Sequence, residues 1–109
     1  MSAEFRRLVR ADRVTEGAVA VARYGVVQVG VTRLRDGRIV AFKNACPHAG
    51  SPLSGGRLSG ATITCSRHGW DFDLRSGACP MHPDWELKLY DTREVDGWIE
   101  VAPREVEIW

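Results

Sequence analysis

Two short clusters of cysteine and histidine constrain this chain more than any other feature of its sequence. The first is Cys46-Pro47-His48, the second is Cys65-Ser66-Arg67-His68, and sixteen residues lie between them. A glycine follows each cluster closely, at Gly50 and Gly69, and glycine allows a backbone to turn sharply around a bound object. Two such loops at the tips of neighbouring short strands would present two thiolates and two imidazoles to one point.

The clusters lie in a segment, residues 44–84, that differs from the rest of the chain. All three cysteines, all three histidines and four of the five prolines fall within it. Strands here can only be short, at about 62–64 and 71–73. A loop-rich segment of this length in a compact domain needs something else to order it, and a metal centre would do so.

Outside this segment the sequence is patterned for β-strands. Valines at 27, 29 and 31 alternate with polar or small residues, which is the period expected of a half-buried strand. Residues 18–21, 38–42, 86–90 and 98–101 are further strand candidates. Asp36-Gly37 and Asp96-Gly97 separate such runs, and we expect both central residues of each turn to need positive φ. The pattern predicts an all-β antiparallel sandwich or barrel, with about one turn of helix near Ala11–Thr15.

Composition limits the classes of protein to which the chain can belong. A length of 109 residues predicts a single domain over residues 1–109, and the net charge of +1 gives no electrostatic footprint for nucleic acid. No apolar run approaches the roughly 18 residues that a membrane span needs, and the charged N-terminus lacks a signal-peptide core. We therefore expect a cytoplasmic monomer without membrane contact. An odd number of cysteines excludes a closed disulfide framework and favours metal binding or chemistry.

The two clusters resemble those of Rieske-type [2Fe–2S] proteins, in which two cysteines hold one iron and two histidines hold the other. The run His-Gly-Trp-Asp-Phe-Asp at 68–73 and the later Ser76-Gly77 are similar to a segment common in that superfamily. Pro80 and Pro83 fall where its members carry a proline-containing loop over the cluster. The resemblance covers nearly the whole chain. It implies a Rieske-type antiparallel β-sandwich or barrel with a loop-rich cluster-binding subdomain at 44–84.

The resemblance also implies the ligands of the cluster, which are Cys46, His48, Cys65 and His68. The same four residue types suit zinc as well, although structural zinc sites more often use C-x-x-C knuckles with other spacing. A zinc protein would be colourless. The remaining alternative is two buried structural cysteines with two incidental histidines.

The surroundings of the second cluster predict a low reduction potential. High-potential Rieske proteins carry an additional disulfide and place hydroxyl donors near the cluster sulfurs, whereas this chain has Trp70 and Phe72 at the corresponding places. Without those donors more electron density stays on sulfur, so we expect a midpoint near −150 mV, at the low end of the range for such centres, roughly −150 to +300 mV.

Four other residues near the clusters carry weaker expectations. We expect Cys79 to be a free, partly buried thiol and His82 to be a loop residue. Trp70 is expected to pack beneath the cluster, with contact to a partner as the alternative. Trp85 is expected in the core or on the sheet surface.

The resemblance implies an electron-transfer component rather than an enzyme, so no catalytic residue is assigned. A Rieske ferredoxin would pass one electron from a flavin-dependent reductase to a terminal oxygenase, either an aromatic-ring dioxygenase or a diiron monooxygenase. The sequence does not distinguish these two oxygenases. The alternative role is the small subunit of an assimilatory nitrite reductase, which shares the fold.

Overall fold

The computed structural model describes residues 4–48 and 50–104, and these residues form two antiparallel sheets. In chain order the strands of the described residues are β1 (Arg6–Arg10), β2 (Ala20–Tyr24), β3 (Val27–Arg33), β4 (Ile39–Lys43), β5 (Arg57–Ser59), β6 (Thr62–Thr64), β7 (Asp71–Asp73), β8 (Leu89–Val95) and β9 (Trp98–Pro103). The larger sheet has the order β1-β9-β8-β4-β3-β2, and the smaller one has the order β5-β6-β7. Short 3₁₀ turns occur at Ala11–Arg13 and Leu53–Gly55. The predicted all-β antiparallel fold is confirmed.

Strand β3 is buried on both faces, whereas its alternating valines predicted a half-buried strand. Val29 and Val31 are fully buried in one apolar cluster of the larger sheet. On the opposite face, Gly30 lies under the ring of Phe42, and a Cβ on Gly30 would come within 2.7 Å of that ring. Only a residue without a side chain fits there. Gly30, the small residue between the two valines, therefore lies on a packed face of β3 and not on a solvent-exposed face.

The two Asp-Gly hairpins differ in their turns. Asp96 and Gly97 have φ values of 52° and 81°, as predicted for both central residues of a two-residue turn. At the other hairpin Gly37 is left-handed, with φ of 92°, but Asp36 is not. There Gly37 N–H donates to the Leu34 carbonyl at 2.9 Å, so a type I turn precedes the left-handed glycine. The prediction of two positive φ values at Asp36-Gly37 is therefore wrong.

The strand expected at 86–90 begins only at Leu89. The two residues before it are held by hydrogen bonds to two different parts of the chain. Leu87 N–H donates to the Gly77 carbonyl at 2.8 Å, and the Lys88 carbonyl accepts from Lys43 N–H at 2.9 Å. This segment therefore joins the loops of the site to β4 and does not extend the ladder of β8.

A second apolar cluster joins the two sheets. It combines Phe42 of β4 with Ile63 of β6 and Phe72 of β7, all at most 1% exposed, and all three cysteines belong to it. The smaller sheet is therefore fixed to the larger one by shared core packing, which also fixes the stems of the loops that it carries. The described part of the chain has no helix long and apolar enough to span a membrane.

Candidate metal centre

The first cysteine–histidine cluster forms a tight loop after β4. Cys46 N–H donates to the Ser51 carbonyl at 2.8 Å, and Gly50 N–H donates to the Cys46 carbonyl at 2.7 Å. Gly50 has φ of 76°, which glycine adopts without strain. The buried Asn44 anchors the start of this loop, because its side-chain oxygen accepts from Ser54 N–H at 2.8 Å. The loop thus has a fixed base with His48 near its tip.

The second cluster forms an equivalent loop between β6 and β7. Cys65 N–H donates to the Trp70 carbonyl and Gly69 N–H donates to the Cys65 carbonyl, both at 2.9 Å. The strands on either side are held together by Thr64, whose hydroxyl donates to the Asp71 carboxylate at 2.6 Å. In both loops, then, the cysteine carbonyl accepts from a glycine four residues later.

The four residues predicted from the sequence come together as two pairs. Cys46 and Cys65 are 2% and 1% exposed, and their side chains interact with each other. His48 and His68 are exposed, and their rings meet edge to face with centroids 4.8 Å apart. Within residues 4–48 and 50–104, no group of three or more histidine, cysteine or acidic side chains is arranged to hold a single metal ion. The site has a buried sulfur layer and an exposed imidazole layer.

The environment of Cys65 lowers the pKa of its thiol. Burial raises the pKa of this thiol, but the backbone N–H groups of Arg67 and His68, the side chain of Cys46 and the Arg67 charge outweigh burial and hold the pKa below its usual value. Thiolate is the form that binds iron and zinc. The second loop therefore makes it easier for Cys65 to lose the proton that a metal would replace.

The donor set fits a centre with two irons. Soft thiolates suit iron–sulfur clusters, and imidazole suits iron as well. A Rieske cluster takes two cysteines at one iron and two histidines at the other. The pairwise arrangement, with sulfur inside and imidazole outside, agrees with that division of ligands.

Aromatic rings cover one side of the first imidazole. The Trp70 indole stacks on His48 with centroids 4.3 Å apart and on His82 with centroids 3.6 Å apart. Trp85, which is 42% exposed, lies edge-on to His48 at 5.9 Å. The expectation that Trp85 lies in the core or on the sheet is therefore wrong. It follows a proline-containing loop that folds back over the site.

Cys79 and His82 both differ from the sequence-based expectation. Cys79 is 1% exposed and packs in the core that joins the sheets, so it is not partly buried. His82 is a loop residue as expected, but it also belongs to the ring stack. The position of His82 in the proline-containing loop was the only signal for this contact, and the sequence does not show which ring that loop would cover.

Comparison with known proteins gives one matching family model, the Rieske [2Fe-2S] domain, over residues 4–91. The anthranilate 1,2-dioxygenase ferredoxin subunit of Burkholderia cepacia is 32% identical over 100 residues, which cover 91% of this chain and 92% of that protein. Among solved structures, the ferredoxin of carbazole 1,9a-dioxygenase from Nocardioides aromaticivorans IC177 superposes with a TM-score of 0.81 at 27% identity. That match covers 92% of this chain and 98% of the ferredoxin.

A third structure shares the fold at lower identity. It is a putative NADH-dependent nitrite reductase small subunit from Mycobacterium tuberculosis, with a TM-score of 0.84 at 23% identity. The match covers 97% of this chain and the whole of that one, and it supports the fold alone. From the extent of the family match and from the full-length ferredoxin relative, this chain belongs to the Rieske [2Fe-2S] family.

Proposed function

We propose that this protein is a one-electron carrier, a Rieske ferredoxin that accepts an electron from a flavin-dependent reductase and delivers it to a terminal oxygenase. The observation that carries the proposal is the layering of the site, with both thiols buried and both imidazoles exposed. When bound, the cluster supplies a reversible one-electron couple. An exposed imidazole edge gives a docked protein a short route to it.

Cys46, His48, Cys65 and His68 are the ligands in this proposal. The two loops hold them in place, because each loop is closed by backbone hydrogen bonds and rests on the shared core. The apolar surroundings of the thiols exclude water from the sulfur side. These residues therefore fix the position of the centre and leave one side open to a partner.

The partner assignment is supported by two relatives that this chain matches over most of their length. Both the anthranilate and the carbazole dioxygenase proteins are, by name, ferredoxin components of oxygenase systems, and this chain covers more than nine-tenths of each. A ring-hydroxylating dioxygenase is therefore the favoured electron acceptor.

The ligand assignment is tested by substitution. We expect anaerobically purified protein to be coloured and to contain iron and labile sulfide, and His48→Cys or His68→Cys to alter or abolish its visible and EPR spectra. Cys79→Ala is the matched control, since it removes a core thiol outside the two loops. A wild-type protein without iron and sulfide, or an unchanged spectrum after either histidine replacement, contradicts the assignment.

The carrier role is tested by reconstitution. A flavin reductase, this protein and a ring-hydroxylating dioxygenase should together give product formation that depends on this protein and saturates with its concentration. The alternative role is the small subunit of a nitrite reductase, which can have this fold, as the mycobacterial protein does. Tight binding to a sirohaem subunit, without electron delivery to any oxygenase, would support that role instead.

A further inference from the structure

Three aromatic rings stand in a single column beside the exposed imidazole layer. The column, which we call the ring stack, consists of His48, Trp70 and His82. Interplanar angles are 22° between His48 and Trp70 and 17° between Trp70 and His82, so the indole is nearly parallel to each imidazole. Trp70 is enclosed on both faces by imidazoles from two other loops.

The outer member of the stack has a well-fixed backbone. His82 N–H donates to the Cys79 carbonyl at 3.1 Å, and the His82 carbonyl accepts from Trp85 N–H at 2.9 Å. Pro80 and Pro83 restrict φ in the same loop. Because Cys79 is buried in the core, this loop is anchored and holds His82 against the indole.

The middle member is also anchored. The Trp70 carbonyl accepts from Cys65 N–H at 2.9 Å, and the half-buried indole packs against the core that joins the sheets. Trp70 lies directly before β7. The Trp70 indole therefore has little freedom to move when His82 covers the face that points away from His48.

The inner member, His48, has less support of its own. It is an exposed residue near the tip of the first loop. His68 meets it edge-on at 76°, whereas the indole lies flat against it. Flat stacking fixes the plane of a ring, and partners outside the ligand shell commonly set the orientation of a metal-bound imidazole.

We propose that His82 is a positioning residue that acts through Trp70 to fix the ring plane of His48. The proposal rests on the assignment of His48 as an iron ligand. The two histidine ligands then differ in how firmly their ring planes are fixed, because the ring stack supports His48 and not His68. A ring at position 82 is what matters here, and no proton on that ring is required.

The test measures the two histidine nitrogens at the reduced centre by pulsed EPR, on holoprotein labelled with ¹⁵N-histidine. We expect His82→Ala to shift or broaden one of the two nitrogen couplings and to leave the other unchanged. His82→Gln removes the ring but keeps a polar side chain, so it should act like His82→Ala. His82→Phe restores a flat ring and should return the coupling to its wild-type value. Met81→Ala, an exposed neighbour in the same loop, is the matched control.

The outcomes separate the two proposals. Wild-type protein without two histidine nitrogen couplings would refute the ligand assignment itself. Two wild-type couplings that remain identical in both His82→Ala and His82→Gln would refute only the positioning role. Equal changes in both couplings, or a failure of His82→Phe to restore the signal, would also refute it, because they indicate a general disturbance of the site.

Discussion

Gly56 is the residue at which one added methyl group should disturb the base of the second cysteine–histidine loop. A Cβ built on Gly56 lies 1.9 Å from the carbonyl oxygen of Thr64 and 3.2 Å from that of Leu53. Thr64 directly precedes Cys65, so this contact sits at the base of the second loop. Gly56 has φ of −90°, which alanine tolerates, and the obstacle to Gly56→Ala is therefore steric.

The size of the effect follows from that contact. Carbon and oxygen approach no closer than about 3.3 Å in ordinary contacts, so the two backbone segments must separate by about 1.4 Å. Overpacking costs about 1–3 kcal/mol, and a backbone neighbour cannot rotate away, which places Gly56→Ala near 3 kcal/mol. A loss of that size lowers the equilibrium constant for folding roughly a hundredfold and lowers the melting temperature by about 12 °C.

The assay compares two neighbouring glycines. Gly55→Ala is the control, because a Cβ at Gly55 meets no atom within 4 Å. Thermal unfolding followed by circular dichroism should show the loss for Gly56→Ala and a change below about 0.5 kcal/mol for Gly55→Ala. Iron content after purification should fall with the first variant only. Equal melting temperatures and equal iron content in the two variants would refute the steric argument.

Three further predictions concern potential, acid stability and a buried charge. The midpoint potential should lie near −150 mV, since Trp70 and Phe72 offer no hydroxyl to the sulfurs, and a value above roughly +50 mV in voltammetry would contradict this. Burial raises the pKa of Asp73, but the Arg75 backbone N–H and guanidinium hold it below its usual value. The ionised Asp73 carboxylate therefore stabilises the fold fully above about pH 4, and this stabilisation is lost as the pH falls through the pKa of Asp73 in the folded protein. Asp73→Asn should weaken the dependence of the unfolding free energy on pH in that acid range. An identical pH profile in the variant would exclude this role. Glu100 lies opposite Arg7 and Arg93 on the two strands beside it, with Arg93 Nε at 2.7 Å from its carboxylate. Because both arginines are half exposed, we expect Glu100→Ala to cost only about 1 kcal/mol in urea unfolding, with Glu94→Ala as the neutral control on exposed β8 surface.

Local pattern was sufficient to predict the all-β class and the closeness of cysteine and histidine within each cluster. A cysteine and a histidine separated by one or two residues cannot lie far apart, and glycine turns close each loop. The Asp96-Gly97 hairpin is equally local, because both left-handed residues are adjacent in sequence.

Features that depend on distant contacts were not predictable in the same way. The start of β8 depends on Leu87 and Lys88 bonding to Gly77 and Lys43, which are remote in sequence. Cys79 is buried because both sheets pack around it, and His82 meets Trp70 because an anchored loop folds back. The residue pattern around Cys79 and His82 does not predict these long-range contacts.

The two site loops have equal spans but place their histidines one position apart. His48 is the second residue after its cysteine and His68 is the third, while each loop closes on a glycine four residues after the cysteine. The imidazoles meet at 76° and form an asymmetric rim. A protein that docks on this rim meets a surface without two-fold symmetry. If that protein were rotated by half a turn about its direction of approach, the part of it that had faced His48 would face His68. The offset of a single residue thus distinguishes two orientations of a docked protein that a symmetric rim would leave equivalent.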